Sequence, residues 1–287
     1  MNLNNTEKIL LGSAQFGLSY GLMNKFGQVP YDEVESILCT SYKAGIHSVD
    51  TSGDYGNSES VIGTILKKHP EFKFDVYSKN ASDDIQLSFK ESLSRLYTIY
   101  GYSIHYFKTY RNNPRVWEKL CELKESRFVK KVGFSIYTPE ELEFLLDNCA
   151  GIDMIQLPAS ILDRRFLPYF KELTEKRIEI HVRSVFLQGV YFKDPKTLPA
   201  EMTSLQHPLI QIQGYCKKKG IRVEELALNY ILSNPSVSKV LMGIHSCAQL
   251  KTNIETLSKS IEEDDIRFVD SLSVSDYNML NPSNWNK

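Results

Sequence analysis

The sequence lacks most of the features that would assign it quickly. Charges of the two signs nearly cancel, with 34 Lys+Arg against 35 Asp+Glu in 287 residues. No global field therefore points to nucleic acid or an anionic membrane. Cysteine is sparse and unpatterned: Cys39, Cys121, Cys149, Cys216 and Cys247 are odd in number, widely spaced and without a C-x-x-C. That excludes a disulfide framework or a cysteine metal site and fits reduced core thiols. Long apolar runs are missing as well. The polar start gives way to Ile9-Leu10-Leu11, which Gly12 breaks, too short for a signal peptide or a membrane span. A soluble, cytoplasmic protein is expected, with no nucleic-acid or membrane partner and no metal.

What is present is alternation. Strand-like segments at 8–14, 45–50, 73–79, 102–107, 129–135, 152–157, 178–185 and 237–242 are each followed by helical periodicity. The helical segments are 31–44, 57–68, 83–97, 114–126, one starting at Thr138-Pro139, 165–176, 204–219 with 222–233, and 246–259. Asn57 and Ser82 are candidate N-caps, and Pro139 suits a first helical turn. An irregular stretch covers about 187–203, a terminal helix 262–273, and the polar Tyr277 to Lys287 reads as a loose tail. No linker interrupts the series. The fold class expected is α/β, a (β/α)8 TIM barrel in one domain over 1–287; such barrels usually run to about 250 residues. A doubly wound sheet would place G-x-G-x-x-G after its first strand. Gly12-Ser13-Ala14-Gln15-Phe16-Gly17 does not match it.

In a barrel, chemistry gathers at the carboxyl ends of strands. Asp50 ends the second, with Tyr55 in the loop beyond; Lys79 ends the third, and His105 lies near the end of the fourth. Taken singly, these are a turn cap, a surface tyrosine, a solvated lysine and a core histidine. Three consecutive strand ends together make proton transfer to a carbonyl oxygen the better account. A phenol with an ordinary pKa of about 10 needs a cation beside it to work near neutrality. A lysine held by an aspartate supplies one, and an imidazole can hydrogen-bond the oxygen.

The stretch Asp50-Thr51-Ser52-Gly53-Asp54-Tyr55-Gly56-Asn57-Ser58-Glu59, followed by Ile62-Gly63, resembles the D-T-A-x-x-Y-G-x-S/A-E-x-x-I/L-G signature of the aldo-keto reductases. Ser78-Lys79, Ser92-Leu93-Ser94-Arg95-Leu96, Ile104-His105, Gly133-Phe134-Ser135, Gln156 and Gln249-Leu250-x-x-Asn253 resemble further family motifs in the same order. The resemblance implies a (β/α)8 barrel that transfers a hydride between a nicotinamide cofactor and a carbonyl. Tyr55 would be the general acid, Asp50 and Lys79 its tuning pair, and His105 the orienter of the carbonyl. Ser135 and Gln156 would hold the carboxamide, and Arg183 would stack on the nicotinamide. Ser184 to Leu187, Phe186 among them, would line the pyrophosphate. Gly243 to Ser246, including His245, would meet the adenosine end with Gln249 and Asn253. Phe16, standing for the usual tryptophan, and Tyr20 would face the substrate.

The departures carry expectations of their own. Ile136 replaces a common asparagine and removes one carboxamide contact, and Arg183 should favour the reduced over the cationic oxidised nicotinamide. NADP is expected by resemblance, with NAD open because Gln249 and His245, with Lys251 nearby, stand where an arginine often meets the 2′-phosphate. Lys108, Arg111, Arg115, Arg164 and Arg165 on the presumed rim would suit an anionic carbonyl compound, or are solvated helix-start charges. The opening Leu11 to Gly21 is similar to a bacterial branch of the aldo-keto reductases often met in surface-glycan contexts, which implies a sugar-derived aldehyde or ketone. Two other functions stay open. One is a nicotinamide-binding sensor or auxiliary subunit with little turnover; the other, a lyase or isomerase barrel, lacks paired carboxylates or a phosphate-binding glycine loop to support it.

Overall fold

Period-two alternation within short strands decides the architecture. A computed structural model describes residues 3–21, 24, 27–80 and 82–285. The strands are β1 (Ile9–Gly12), β2 (Ser48–Asp50), β3 (Asp75–Asn80), β4 (Gly101–Ile104), β5 (Lys131–Ser135), β6 (Met154–Pro158), β7 (Glu179–Arg183) and β8 (Val237–Gly243). All pair in parallel in chain order, and β8 closes on β1, so the expected eight-stranded barrel is observed. Along each strand, one set of side chains joins the main core with the surrounding helices: Leu11, Val49, Val76, Ile104, Phe134, Ile155, Val182 and Val240. The alternate set points into the lumen, where Leu10, Tyr77 and Met154 form a separate small cluster. Tyr77 meets His181 of the facing strand β7 edge-on, with ring centroids 5.2 Å apart. The lumen is thus a packed core, not a channel.

The same alternation sends polar residues inward at both ends. At the amino-terminal mouth Lys131 pairs with Glu179, and Lys239 Nζ donates to Glu7 O at 2.7 Å and Ser48 Oγ at 2.9 Å. At the carboxyl-terminal mouth stand Asp50, Lys79, Ser135, Gln156 and Arg183.

Most helices fall where periodicity places them. Pro139–Asn148 starts with a full capping box: Thr138 Oγ1 accepts from Glu141 N, and the Glu141 carboxylate returns to Thr138 N. The cap before Ile85–Leu96 is Asp84, not Ser82; Asp84 Oδ1 accepts from Leu87 N at 3.0 Å. Asn57 precedes Ser58–Lys68, but its side chain accepts from Gln28 instead of capping. Short helices Leu3–Glu7, Ala14–Gly17 and Phe107–Asn112 were not anticipated. The expected loose tail is folded over its described part. Tyr277–Leu280 and Pro282–Asn284 form 3-10 turns, Leu280 and Trp285 are buried, and Trp285 Nε1 donates to Met279 O at 3.0 Å. Residues 286 and 287 lie outside the described residues. Apolar anchors at the end of a polar segment overrode its composition. Among the described residues all five cysteines are unpaired, and no helix is long and apolar enough to cross a membrane.

Candidate active site

The loop from Asp50 to Ser58 owes its path to a close approach between two glycines. A Cβ on Gly17 would lie 1.8 Å from Tyr55 O, and one on Gly56 2.3 Å from Gly17 O. Gly56 also has φ +56°, which favours glycine. The short helix Ala14–Gly17 thereby seats the tyrosine loop against the start of Ser58–Lys68. Thr51 Oγ1 and Ser58 Oγ close the same loop at 3.1 Å, and Ser58 Oγ also donates to Ser13 O.

Onto this frame the strand ends bring the four expected acid–base residues together. Lys79 Nζ donates to Asp50 Oδ2 at 2.6 Å and to Thr51 O at 2.8 Å, and lies 5.1 Å from the centroid of the Tyr55 ring. His105 meets that ring edge-on at 5.7 Å. The Lys79 and Asp50 side chains are only 2% and 3% exposed, so their pairing proceeds in a dry site. Burial, and next the Asp50 carboxylate, hold the Tyr55 phenol well above its ordinary range. A lysine that lowers it was expected; the cation that opposes the rise is Arg183, and desolvation wins. Burial likewise lowers Lys79, with Asp50 opposing, and lowers His105, with Asp54 opposing. At neutral pH the tyrosine is a protonated acid. His105 Nδ1 is 3.0 Å from Ser52 Oγ and 3.6 Å from Asp54 Oδ2, and its ring stacks on Tyr106 at 4.3 Å.

Gln156 Nε2 crosses the lumen from β6 to β2 and donates to Asp50 Oδ1 at 2.9 Å. Its amide is therefore partly engaged in the acid–base set. The Gln156 Oε1 and Ser135 Oγ acceptors bond no protein group among the described residues, which leaves them for a carboxamide. Arg183 stacks on Tyr137, with its guanidinium carbon 3.9 Å from that ring's centroid, and donates to Ile136 O at 2.8 Å and Ser184 Oγ at 3.4 Å. The ring that the guanidinium covers belongs to the protein itself. Beyond it the backbone is strained: Ser184, Leu187 and Gln188 have φ of 65°, 45° and 50°, of the kind that clusters at ligand sites. Phe186 packs on Phe192 with ring centroids 5.8 Å apart.

At the end of β8, Gly243 lets the Gln15 amide lie close, 3.0 Å from where a Cβ would stand. Gln249 Oε1 accepts from His245 N at 2.8 Å. Two polar atoms nearby are orphaned: His245 Nε2 and Asn253 Nδ2 are buried without a hydrogen-bond partner among the described residues. Buried donors rarely go unpaired, so both suit a bound polar group such as the adenosine end of a nucleotide. Just before them, Glu33 Oε1 accepts from Cys247 N at 2.6 Å in the first turn of Cys247–Thr256.

Some candidates sit elsewhere than expected. Phe16 is fully buried in the main core, where the short helix packs on Ser58–Lys68, and does not face a substrate. Tyr20 is half-exposed, with Gln188 donating to its hydroxyl at 2.9 Å. Arg164 is no part of a cationic mouth: it straps Ile161 O, Val269 O and Leu272 O. Arg165 is held by both oxygens of Asp163. Lys108, Arg111 and Arg115 remain exposed, Arg111 over the Phe144 ring. Sequence reasoning missed Ser52, Asp54, Tyr106 and Tyr137; the first two lie inside the motif itself and could have been examined there. No group of three or more His, Cys, Asp or Glu suited to a metal occurs among the described residues.

The model of the aldo/keto reductase family matches residues 8–274. L-Galactose dehydrogenase of Arabidopsis thaliana is 26% identical over 279 residues, covering 85% of this chain and 83% of that protein. D-Arabinose 1-dehydrogenase of Saccharomyces cerevisiae is 23% identical over 257 residues, covering 77% and 76%. Among solved structures, the holo form of aldo-keto reductase AKR11C1 from Bacillus halodurans superposes with a TM-score of 0.72 at 20% identity, over 92% of this chain and 91% of that one. At that identity the superposition speaks for the fold.

Proposed function

The chain belongs to the aldo/keto reductase family, and from that premise we propose that it is a nicotinamide-dependent carbonyl reductase with Tyr55 as its general acid. The observation that carries this reading is the buried Lys79–Asp50 pair beneath the Tyr55 ring, with His105 at the ring's edge. A reduced nicotinamide, when bound, supplies a hydride to the carbonyl carbon. As the carbon–oxygen π pair moves onto oxygen, Tyr55 passes its proton there, and His105 hydrogen-bonds the same oxygen. Lys79 offsets the phenolate charge that remains, and Asp50, itself held by Gln156, keeps Lys79 in place. In the opposite direction the same phenolate takes the alcohol's proton.

Ser135 Oγ and Gln156 Oε1 would accept from the carboxamide, and Arg183 with Tyr137 would form the wall beside the nicotinamide. The segment from Ser184 through Phe186 to Leu187, strained at its two ends, would follow the pyrophosphate, and Gly243, His245, Gln249 and Asn253 would hold the adenosine. Glu33 bears on the 2′-position. Its carboxylate already accepts from Cys247 N, a first-turn amide that would otherwise attract a 2′-phosphate, and repels one. This turns the expected NADP preference toward NADH. Relatives named for L-galactose and D-arabinose, and tyrosines 20, 106 and 137 about the mouth, support a sugar-derived carbonyl compound as substrate.

The test is a titration of NADH and of NADPH followed by nicotinamide fluorescence, then turnover with a panel of aldehydes, ketones and aldoses in both directions. Saturable binding with turnover that Tyr55→Phe abolishes is the expected result. Binding without turnover by the native protein would instead favour a sensor, and no binding would end the reductase reading.

A further inference from the structure

His105 is clamped on one side only. Its Nδ1 faces Ser52 Oγ at 3.0 Å and Asp54 Oδ2 at 3.6 Å, and Asp54 Oδ2 is fixed by the Tyr106 hydroxyl at 3.0 Å. Tyr106 in turn stacks flat on the imidazole, 14° from parallel. No protein group among the described residues bonds Nε2. Ser52 has one proton to give. Its Oγ accepts from Asp54 N at 3.2 Å and donates to Lys79 O at 3.3 Å, so toward His105 it is left as an acceptor. The reverse arrangement, Ser52 donating to a bare Nδ1, would point that nitrogen's lone pair at a carboxylate. Both neighbours therefore ask for hydrogen on Nδ1.

We propose that Asp54 is a positioning residue for His105, holding its proton on Nδ1 so that Nε2 donates to the carbonyl oxygen only when the ring is an imidazolium. The proposal rests on the reductase reading of the site. It makes His105 a pH-sensitive group: acid conditions favour its help in reduction, and above the ring's pKa the bare Nε2 offers the carbonyl oxygen no donor. The charged and titratable groups around the ring are Asp50 from β2, Asp54 and Tyr55 from the loop after it, Lys79 from β3, and Tyr106 beside it. Burial is the largest influence and lowers His105; Asp54 raises it, Lys79 lowers it and Asp50 raises it. Loss of Asp54 should therefore move the ring's titration further down.

The test uses the free, 15N-labelled protein, in which long-range proton–nitrogen correlation reports which imidazole nitrogen carries hydrogen, from about pH 4.5 to 8. His105→Gln assigns the signal. Hydrogen on Nδ1 is expected above the ring's pKa. Asp54→Asn should lower that pKa by on the order of one unit, since Asp54 is partly exposed and screened; Asp54→Glu should restore it. Hydrogen on Nε2 in the native protein, or a titration unmoved by Asp54→Asn, overturns the proposal. Reduction of 4-nitrobenzaldehyde adds a kinetic reading. In Asp54→Asn the fall of kcat with rising pH should begin at lower pH with little change in KM, and an unshifted profile counts against the proposal. Because the spectroscopic readout needs no turnover, an inactive protein would end the reductase reading while the tautomer is still decided.

Discussion

At the lower mouth of the barrel Lys131 and Glu179 pair with side chains 23% and 32% exposed; at the upper mouth Lys79 and Asp50 pair at 2% and 3%. Both pairs arise from the same inward alternation of neighbouring or nearby strands. The lower pair is wetted, joined by His181, and covers the Tyr100 ring. The upper pair is dry, and each of its oxygens and its ammonium is directed at something: Gln156, Thr51 O and the face of Tyr55. Ion pairs so dry contribute little net stability after desolvation, whereas breaking one is costly. A charge pair at a barrel mouth is thus uninformative by itself; its dryness and the directed third contacts mark the chemical end.

The comparison would break most decisively on Tyr55→Phe. Turnover should fall by about 10²- to 10⁴-fold, the usual range for a positioned general acid, with nicotinamide affinity within about twofold of native. Equal loss of binding would make Tyr55 a packing residue. Asp50→Asn, which strands Lys79 in a dry site, should cost about 3 kcal/mol or more in urea unfolding and abolish turnover.

The lower pair should behave otherwise. Burial pushes the Glu179 carboxyl up, but bonds from His181 and Lys131 outweigh it and hold it at about 2. A depressed carboxyl contributes stability above its unfolded pKa and loses it as pH falls through the folded one. Glu179→Gln should therefore cost roughly 1 kcal/mol near neutrality, discounted for exposure, with the deficit shrinking between about pH 4.5 and 2 and turnover unchanged. His181, lowered by burial, works in the same sense: its neutral form contributes above its unfolded pKa and is lost on acidification. Smallest of all, Glu33→Gln should raise affinity for NADPH relative to NADH by about fivefold, as expected for removing one partly screened like charge. No change in that ratio would separate Glu33 from the 2′-position.

Much of this was legible in the chain. Strand ends follow from period two, and the stretch from Asp50 to Glu59 reads as a candidate acid–base loop because its residue types sit where a strand meets a glycine turn. What escaped was anything decided across the lumen or by packing. Gln156 reaches Asp50 from a strand on the far side of the barrel, a contact that no local spacing encodes. Phe16 went into the core because a four-residue helix turned it inward. Arg164, read as a rim charge, is consumed by the carbonyls of a helix end more than a hundred residues away. Tyr137 could not be paired with Arg183 until β5 and β7 were known to flank β6.

The bond between Gln156 and Asp50 also divides the molecule into two halves of different duty. The proposed acid–base residues Asp50, Tyr55, Lys79 and His105 all come from the first four strands and the loops after them, and nearly every residue proposed for the nicotinamide cofactor comes from the last four. Each half can drift in sequence under its own requirements, one toward new carbonyl compounds and the other toward a different nucleotide. At this amide–carboxylate contact, as where Gln188 meets Tyr20 and Cys247 meets Glu33, a change in either half must be answered by the other.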